Sequence, residues 1–331
     1  MVFWKSSWQQ IILISCLLAS GLGVADNQAI WQIPSYDLTV FDQVITQLYK
    51  RARREHITDL DQRIAFFSEA FLEKPYQLGS LGEGHNALFD QQPIYRTDSF
   101  DCLTYVSTVL ALSLGHNVDE FRKTLISIQY QHGKVDYFNR NHFTSLDWNI
   151  NNQKMGYLKD ITSLIYNQAG WPIYKTSRTY INKKAWYQKK KIDSLKSLLA
   201  ITKNMAMRKL EELRAQGQLQ NNSYSHINYI PLTELFDRNG NPNFYVFSQF
   251  QNGTIIEIVC PDCKLANKIG TNLHVSHLGF VIHTSQGVMF RSASSIKQKV
   301  ADIPLIDYLR NYLGSRSVKG INLQYPLKPS K

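Results

Sequence analysis

Cys102 stands between Phe100-Asp101 and a stripe of apolar residues, Leu103, Val106, Leu110 and Leu114, whose spacing predicts a helix that begins at the cysteine itself. A thiol at a helix start meets unsatisfied backbone N–H groups and the positive end of the helix dipole. Both favour the thiolate, and the same N–H groups can hold an oxyanion. A nucleophilic thiol also needs a base, and His277 opens the run His277-Leu278-Gly279-Phe280-Val281-Ile282, which reads as a strand. Gly279 in that run would let a substrate or a helix backbone approach closely. The long separation of the two residues is no objection, because such pairs meet in space. Taken alone, Cys102 reads first as a buried hydrophobe, and His277 could equally be a structural histidine at a strand edge.

The other cysteines carry separate chemistry. Cys260-Pro261-Asp262-Cys263 can close on itself as a local disulfide or remain two thiols in a loop. With His274 and His277 the pair also makes C-x2-C-x10-H-x2-H, a spacing that could bind zinc tetrahedrally and would take His277 away from base duty. Cys16 sits in Leu13-Ile14-Ser15-Cys16, a weak lipidation box within an apolar run that follows Lys5 and exits through Gly23-Val24-Ala25. That pattern is read as a secretory signal peptide over residues 1–25, too short for a spanning helix, with lipid anchoring through Cys16 as the alternative.

The elements that must position these residues read as helices first and strands later. Asp37 to Arg54 is helical, and Leu60, Ile64, Phe67 and Phe71 make a second stripe that ends at Lys74-Pro75. A glycine-bearing loop through Gly79, Gly82 and Gly84 leads to the Cys102 helix, which Gly115 stops. Further helices are expected over Val118 to Tyr130 and Asp193 to Gln216. Phe244 to Phe250, Thr254 to Val259, His277 to Thr284 and Val288 to Ser292 read as strands, with turns at Asn252-Gly253 and Ser285-Gln286-Gly287. This order predicts an α+β fold in one domain over residues 26–331, with a helical insertion at about 175–222 that contains the basic run Lys183 to Lys191, read as a solvated face.

Composition narrows the partner. The 331 residues are 44% hydrophobic, which excludes a disordered or disulfide-mesh chain, and 37 Lys plus Arg against 26 Asp plus Glu give a net charge of +11. A basic protein has an anionic partner. Nucleic acid, a membrane surface and bacterial wall polymer are all anionic, and export makes nucleic acid the poor candidate among them.

The ordered set of motifs resembles a known family. Pro75-Tyr76 and the glycine loop, Asp101-Cys102-Leu103-Thr104-Tyr105-Val106, Arg140-Asn141-His142-Phe143 with Asp147-Trp148, Asp160-Ile161-Thr162, Ser276-His277-Leu278-Gly279-Phe280-Val281 and Phe290-Arg291-Ser292-Ala293-Ser294-Ser295 run in the order of the N-acetylmuramoyl-L-alanine amidase-like family. That family is a branch of the NlpC-type papain-like cysteine hydrolases. The resemblance spans about Ile64 to Tyr325. It implies a papain-like fold with the nucleophile helix packed on an antiparallel sheet, no cofactor and no metal, and hydrolysis of the amide between N-acetylmuramic acid and L-alanine in peptidoglycan or muropeptides. Carried over, Cys102 attacks, His277 moves the proton, and Tyr76 lies near the nucleophile as a donor. Arg140, His142 and Asp147 fall at substrate-recognition positions, with a structural loop salt-bridged through Asp147 as the plainer reading. Two positions depart from the pattern: a helix glutamate five residues after the cysteine is Ser107 here, and the residue that orients the histidine, often His before Ala-Ser, is Ser292. Arg291 has the opposite strand parity and cannot accept from an imidazole. A stem-peptide endopeptidase and a non-catalytic wall-binding module are the alternative functions.

Overall fold

The computed structural model describes residues 32–261, 263 and 265–329. The expected signal peptide and Cys16 lie outside the described residues. Among those described, no helix is long and apolar enough to cross a membrane.

Helices come first, as the periodicity predicts. α1 (Leu38–Arg54) is capped by Asp37, and α2 (Leu60–Glu69), α3 (Cys102–Leu114) and α4 (Val118–Gln129) follow. α3 is buried over most of its circumference, with Tyr105 through Ser113 all inside, because α2 and α4 flank it and the sheet closes the remaining side. A helix enclosed on every side needs apolar residues all round, which explains a sequence richer in them than a single stripe requires.

One antiparallel sheet carries the rest: β1 (Leu158–Asp160), β2 (Lys175–Ile181), β3 (Ser223–Pro231), β4 (Ile255–Val259), β5 (Val275–Thr284), β6 (Gly287–Ser294), β7 (Lys299–Pro304) and β8 (Gly320–Pro326). The strand order is β2-β3-β8-β4-β5-β6-β7, with β1 alongside β8. Residues of β5 alternate between two cores. Leu278, Phe280 and Ile282 join the core under α1 to α4, whereas Val281 packs on the opposite face with Phe290, Ile256 and Tyr308.

Three expectations need correction. Residues Phe244 to Phe250 are no strand: Phe244–Phe247 is a helical turn, started by the Asn243 side chain accepting from the Val246 N–H, so Asn252-Gly253 leads into β4 without closing a hairpin. The helix expected from Asp193 begins ten residues later, as α7 (Lys203–Gly217) with Thr202 as its cap; α5 (Asn149–Lys154) and α6 (Lys183–Gln188) precede it. The stretch 175–222 opens with a strand, not a helix, since β2 pairs with β3 along seven residues. Sequence periodicity missed it because β2 is largely exposed, with burial only at Thr179 and Ile181.

Candidate active site

Asp101 fixes the start of α3 and the loop before it. One carboxylate oxygen accepts from the Thr104 N–H at 2.8 Å while the Thr104 hydroxyl answers the Asp101 N–H at 2.9 Å, a reciprocal cap. The other oxygen accepts from the Gly79 N–H at 2.9 Å. Residues 75–77 lie against Phe100 through the Phe100 N–H to Pro75 carbonyl and Gln77 N–H to Phe100 carbonyl bonds, which set Tyr76 beside the cysteine. Cys102 therefore occupies the first helical position, partly exposed and not joined to another cysteine. Burial and then the Asp101 carboxylate push its thiol up to about 12, opposed by the backbone N–H groups of Leu278, Leu103 and Cys102. Tyr76 is likewise held above its ordinary value, by burial and then by Cys102 and Asp101.

His277 sits near the start of β5, opposite Ile258 of β4. Its Nε2 lies 3.0 Å from the Ser292 Oγ on β6. Gly279 is what permits this. It shares the His277 face of β5, and a Cβ there would stand 2.7 Å from the Ser292 Cβ and 2.8 Å from the Phe290 ring. The close approach at this glycine thus comes from the neighbouring strand, in place of the substrate or helix backbone expected. The rings of Phe290 and Tyr308, stacked at 4.3 Å, stand 5.7 and 6.2 Å from the imidazole. Burial lowers the His277 pKa to about 4, so the imidazole is neutral at ordinary pH. Arg291 points away from it and grips Asp302 through two 2.7 Å bonds.

Cys102, His277, Tyr76 and His142 line one cleft of about 260 Å³. It adjoins a larger cavity of about 520 Å³ through shared walls at Leu78, Asp101, Leu103 and His142. A roomier cavity of about 760 Å³ contains neither Cys102 nor His277, so volume alone does not locate the chemistry.

The recognition residues behave differently from one another. Arg140 reaches the 520 Å³ cavity, but its guanidinium is engaged by the buried carboxylates of Glu83 and Asp90 and donates to the Leu81 carbonyl at 3.0 Å. His142 donates from Nε2 to the Tyr137 carbonyl at 2.7 Å, wedged between the Tyr137 and Trp186 rings, and burial holds it well below the usual imidazole range. Asp147 is buried and pairs with Lys183 at 2.7 Å, not with Arg140 or His142. Ser107, where the resemblance expects glutamate, accepts from the Trp148 indole N–H at 3.1 Å. Sequence reasoning passed over Glu83, Trp186 and Lys190. The available signal was Trp186-Tyr187 set inside the basic run, since aromatics there are out of place on a solvated face.

Cys260 and Cys263 form a disulfide. His274, the other donor of the zinc alternative, is buried with its ring nitrogens 3.1 Å from Ser225 Oγ and 3.0 Å from Ser177 Oγ. Among the described residues no cluster of His, Cys, Asp and Glu is placed to hold a metal ion.

Residues 66–315 match the AmiA-like family, described as N-acetylmuramoyl-L-alanine amidase-like. A crystal structure of a Legionella pneumophila protein is 44% identical, with a TM-score of 0.84 over 88% of this chain and 96% of that one. An N-acetylmuramoyl-L-alanine amidase from Bacteroides uniformis has a similar fold at 22% identity, with a TM-score of 0.56 over 81% of this chain and 99% of that one. No curated protein matches.

Proposed function

The chain belongs to the N-acetylmuramoyl-L-alanine amidase-like family, and from that premise we propose that it is an exported, papain-like cysteine amidase of the NlpC type, which cuts the bond between the lactyl group of N-acetylmuramic acid and L-alanine. The observation that carries this reading is the convergence of Cys102, at a capped helix start, and His277, backed by Ser292, on a single cleft. Export is supported by the leader pattern of residues 1–25 and by the Cys260–Cys263 disulfide, which belongs to an oxidising compartment.

In the proposed mechanism the resting pair is neutral. With the thiol pushed up to about 12 and the imidazole lowered to about 4, the proton stays on sulfur until a substrate carbonyl arrives. Ser292 accepts from His277 Nε2–H, which leaves Nδ1 unprotonated as the base. Nδ1 takes the thiol proton as Sγ attacks the lactyl carbonyl carbon. The oxyanion that forms is met by the N–H groups at the start of α3 and by the Tyr76 hydroxyl. Collapse breaks the C–N bond, the imidazolium protonates the leaving L-alanine nitrogen, and a thioester remains on Cys102. Water, deprotonated by His277, releases the lactyl carboxylate and restores the thiol.

Family membership supplies the bond. The adjoining cavity of about 520 Å³ shares its Leu78, Asp101, Leu103 and His142 walls with the Cys102 cleft, so a group attached to the scissile amide can extend into it from the nucleophile. Cys102→Ala tests the reading: it should abolish turnover of purified muropeptides while the thermal midpoint stays nearly unchanged. Wild-type turnover by that variant would remove Cys102 from the mechanism.

A further inference from the structure

We propose that Lys190 anchors a carboxylate of the substrate's stem peptide in the cavity beside Cys102, and so sets specificity for acidic over amidated peptides. This rests on the reading above for the identity of the ligand.

The argument begins with Arg140. A guanidinium at that position invites a carboxylate-binding role, yet two buried carboxylates already hold it. The same cavity is lined by two other cations, Lys190 and Lys196, and among the described residues neither is ion-paired. Lys190 is the better placed of the two. Its Nζ rests 3.4 Å from the centre of the Trp186 ring and 5.9 Å from that of Tyr137, where a cation meets π faces in place of a carboxylate. Its backbone is rigidly held, since its carbonyl accepts two bonds from Arg214 of α7, at 3.2 and 2.6 Å. An ammonium on a cavity wall, with its backbone pinned and no acid bonded to it, is a seat for an incoming anion.

The charges around it choose the kind of anion. Arg140 repels Lys190, and Asp90 and Asp193 attract it; His142, near enough to feel its charge, is neutral. Of the aspartates on the cavity wall, Asp90 is engaged by Arg140 and Asp101 by the α3 cap, whereas Asp193 adds a negative field. A singly charged carboxylate suits this balance better than a phosphate dianion. Burial, with Arg140 next, brings the Lys190 pKa down to about 7, so Lys190 gives up its charge in the free cavity as pH rises through neutrality, while Arg140 keeps its own.

Binding separates this proposal from the hydrolytic reading. In the Cys102→Ala background, calorimetry would compare a disaccharide-tripeptide with the same molecule after its carboxylates are converted to methylamides. Lys190→Met should weaken the acidic ligand at least tenfold at pH 6 and leave the amidated ligand unchanged, which also shows that the variant is folded. Raising the pH from 6 to 9 should weaken the acidic ligand in the Lys190 protein and not in Lys190→Arg. Equal effects of Lys190→Met on both ligands, no effect on either, or no binding of the acidic ligand at all would each overturn the proposal. Turnover of the same ligand by the wild-type chain reports separately on the amidase reading.

Discussion

Gly279 and Ser292 meet across β5 and β6 so closely that a single methyl on the glycine would stand 2.7 Å from the serine Cβ. That contact places the Ser292 hydroxyl 3.0 Å from His277 Nε2. Gly279→Ala must therefore push β6 or the imidazole aside. We expect a loss of about 1–3 kcal/mol in chemical denaturation, the scale of an overpacked core position, and a fall in kcat larger than any change in KM. Unchanged stability and unchanged kcat would show that the contact positions nothing.

In the proposed mechanism Ser292 acts through His277, so its removal should appear in the rate and in its pH dependence. Ser292→Ala is expected to lower kcat about ten- to a hundredfold at constant KM. In that mechanism the base is the neutral imidazole, and burial holds the imidazolium off down to about pH 4. The acidic limb of kcat/KM should accordingly lie near 4, with the ordinary value of 6.5 the contrary result.

Glu257 tests the electrostatics of the sheet away from the cleft. It is fully buried on β4, and burial, helped by Asp160 and opposed by Asn149, raises its pKa to about 8. The native state thus keeps a proton that the unfolded chain releases above about 4.5, so stability falls as pH rises across the window from there to about 8. The slope is worth at most about 5 kcal/mol over that shift of 4.5 to about 8. Glu257→Gln should flatten this part of the stability profile measured by urea titration, and an unaltered slope would refute the assignment.

The Cys260–Cys263 bridge closes a loop of only three residues' separation. Its removal by a Cys260→Ser, Cys263→Ser double variant should cost about 2 kcal/mol, the loop-closure scale for so short a ring. Mass mapping of the purified chain should find the two sulfurs joined. One equivalent of zinc per chain, found by metal analysis, would instead favour the tetrahedral site.

Much of this arrangement could be read from residue order. Cys102 was legible because helix starts leave a local signature, an acidic cap followed by an apolar stripe, and His277 because β-branched and aromatic runs mark strands. Ser292 came from the family resemblance, with strand parity excluding only its neighbour Arg291. What could not be read depended on contacts between distant segments. The engagement of Arg140 by Glu83 and Asp90 joins a loop to residues about fifty positions away, and nothing local to Arg140 announces it. Lys183 to Lys191 looked like a solvated face, yet Lys183 pairs with buried Asp147 and Lys190 lies on Trp186 at the cavity wall. The strand expected at Phe244 failed because four apolar residues in a row fit a half-buried helical turn, with Val246 and Phe247 inside and Phe244 and Tyr245 exposed, as well as a strand, and the Asn243 cap decided between them.

The account's central claim is the choice of bond, and mass spectrometry of the products from a purified disaccharide-tripeptide tests it most directly. Because the proposed bond joins the sugar's lactyl group to the peptide, binding energy from the sugar should raise turnover as well as affinity. The expected products are the free disaccharide, with its lactyl carboxylate, and an intact tripeptide that starts at L-alanine, with little cleavage of an N-lactyl tripeptide that lacks the sugar. Fragments cut between D-glutamate and the third residue, formed at equal rates with and without the sugar, would contradict the account and identify an endopeptidase.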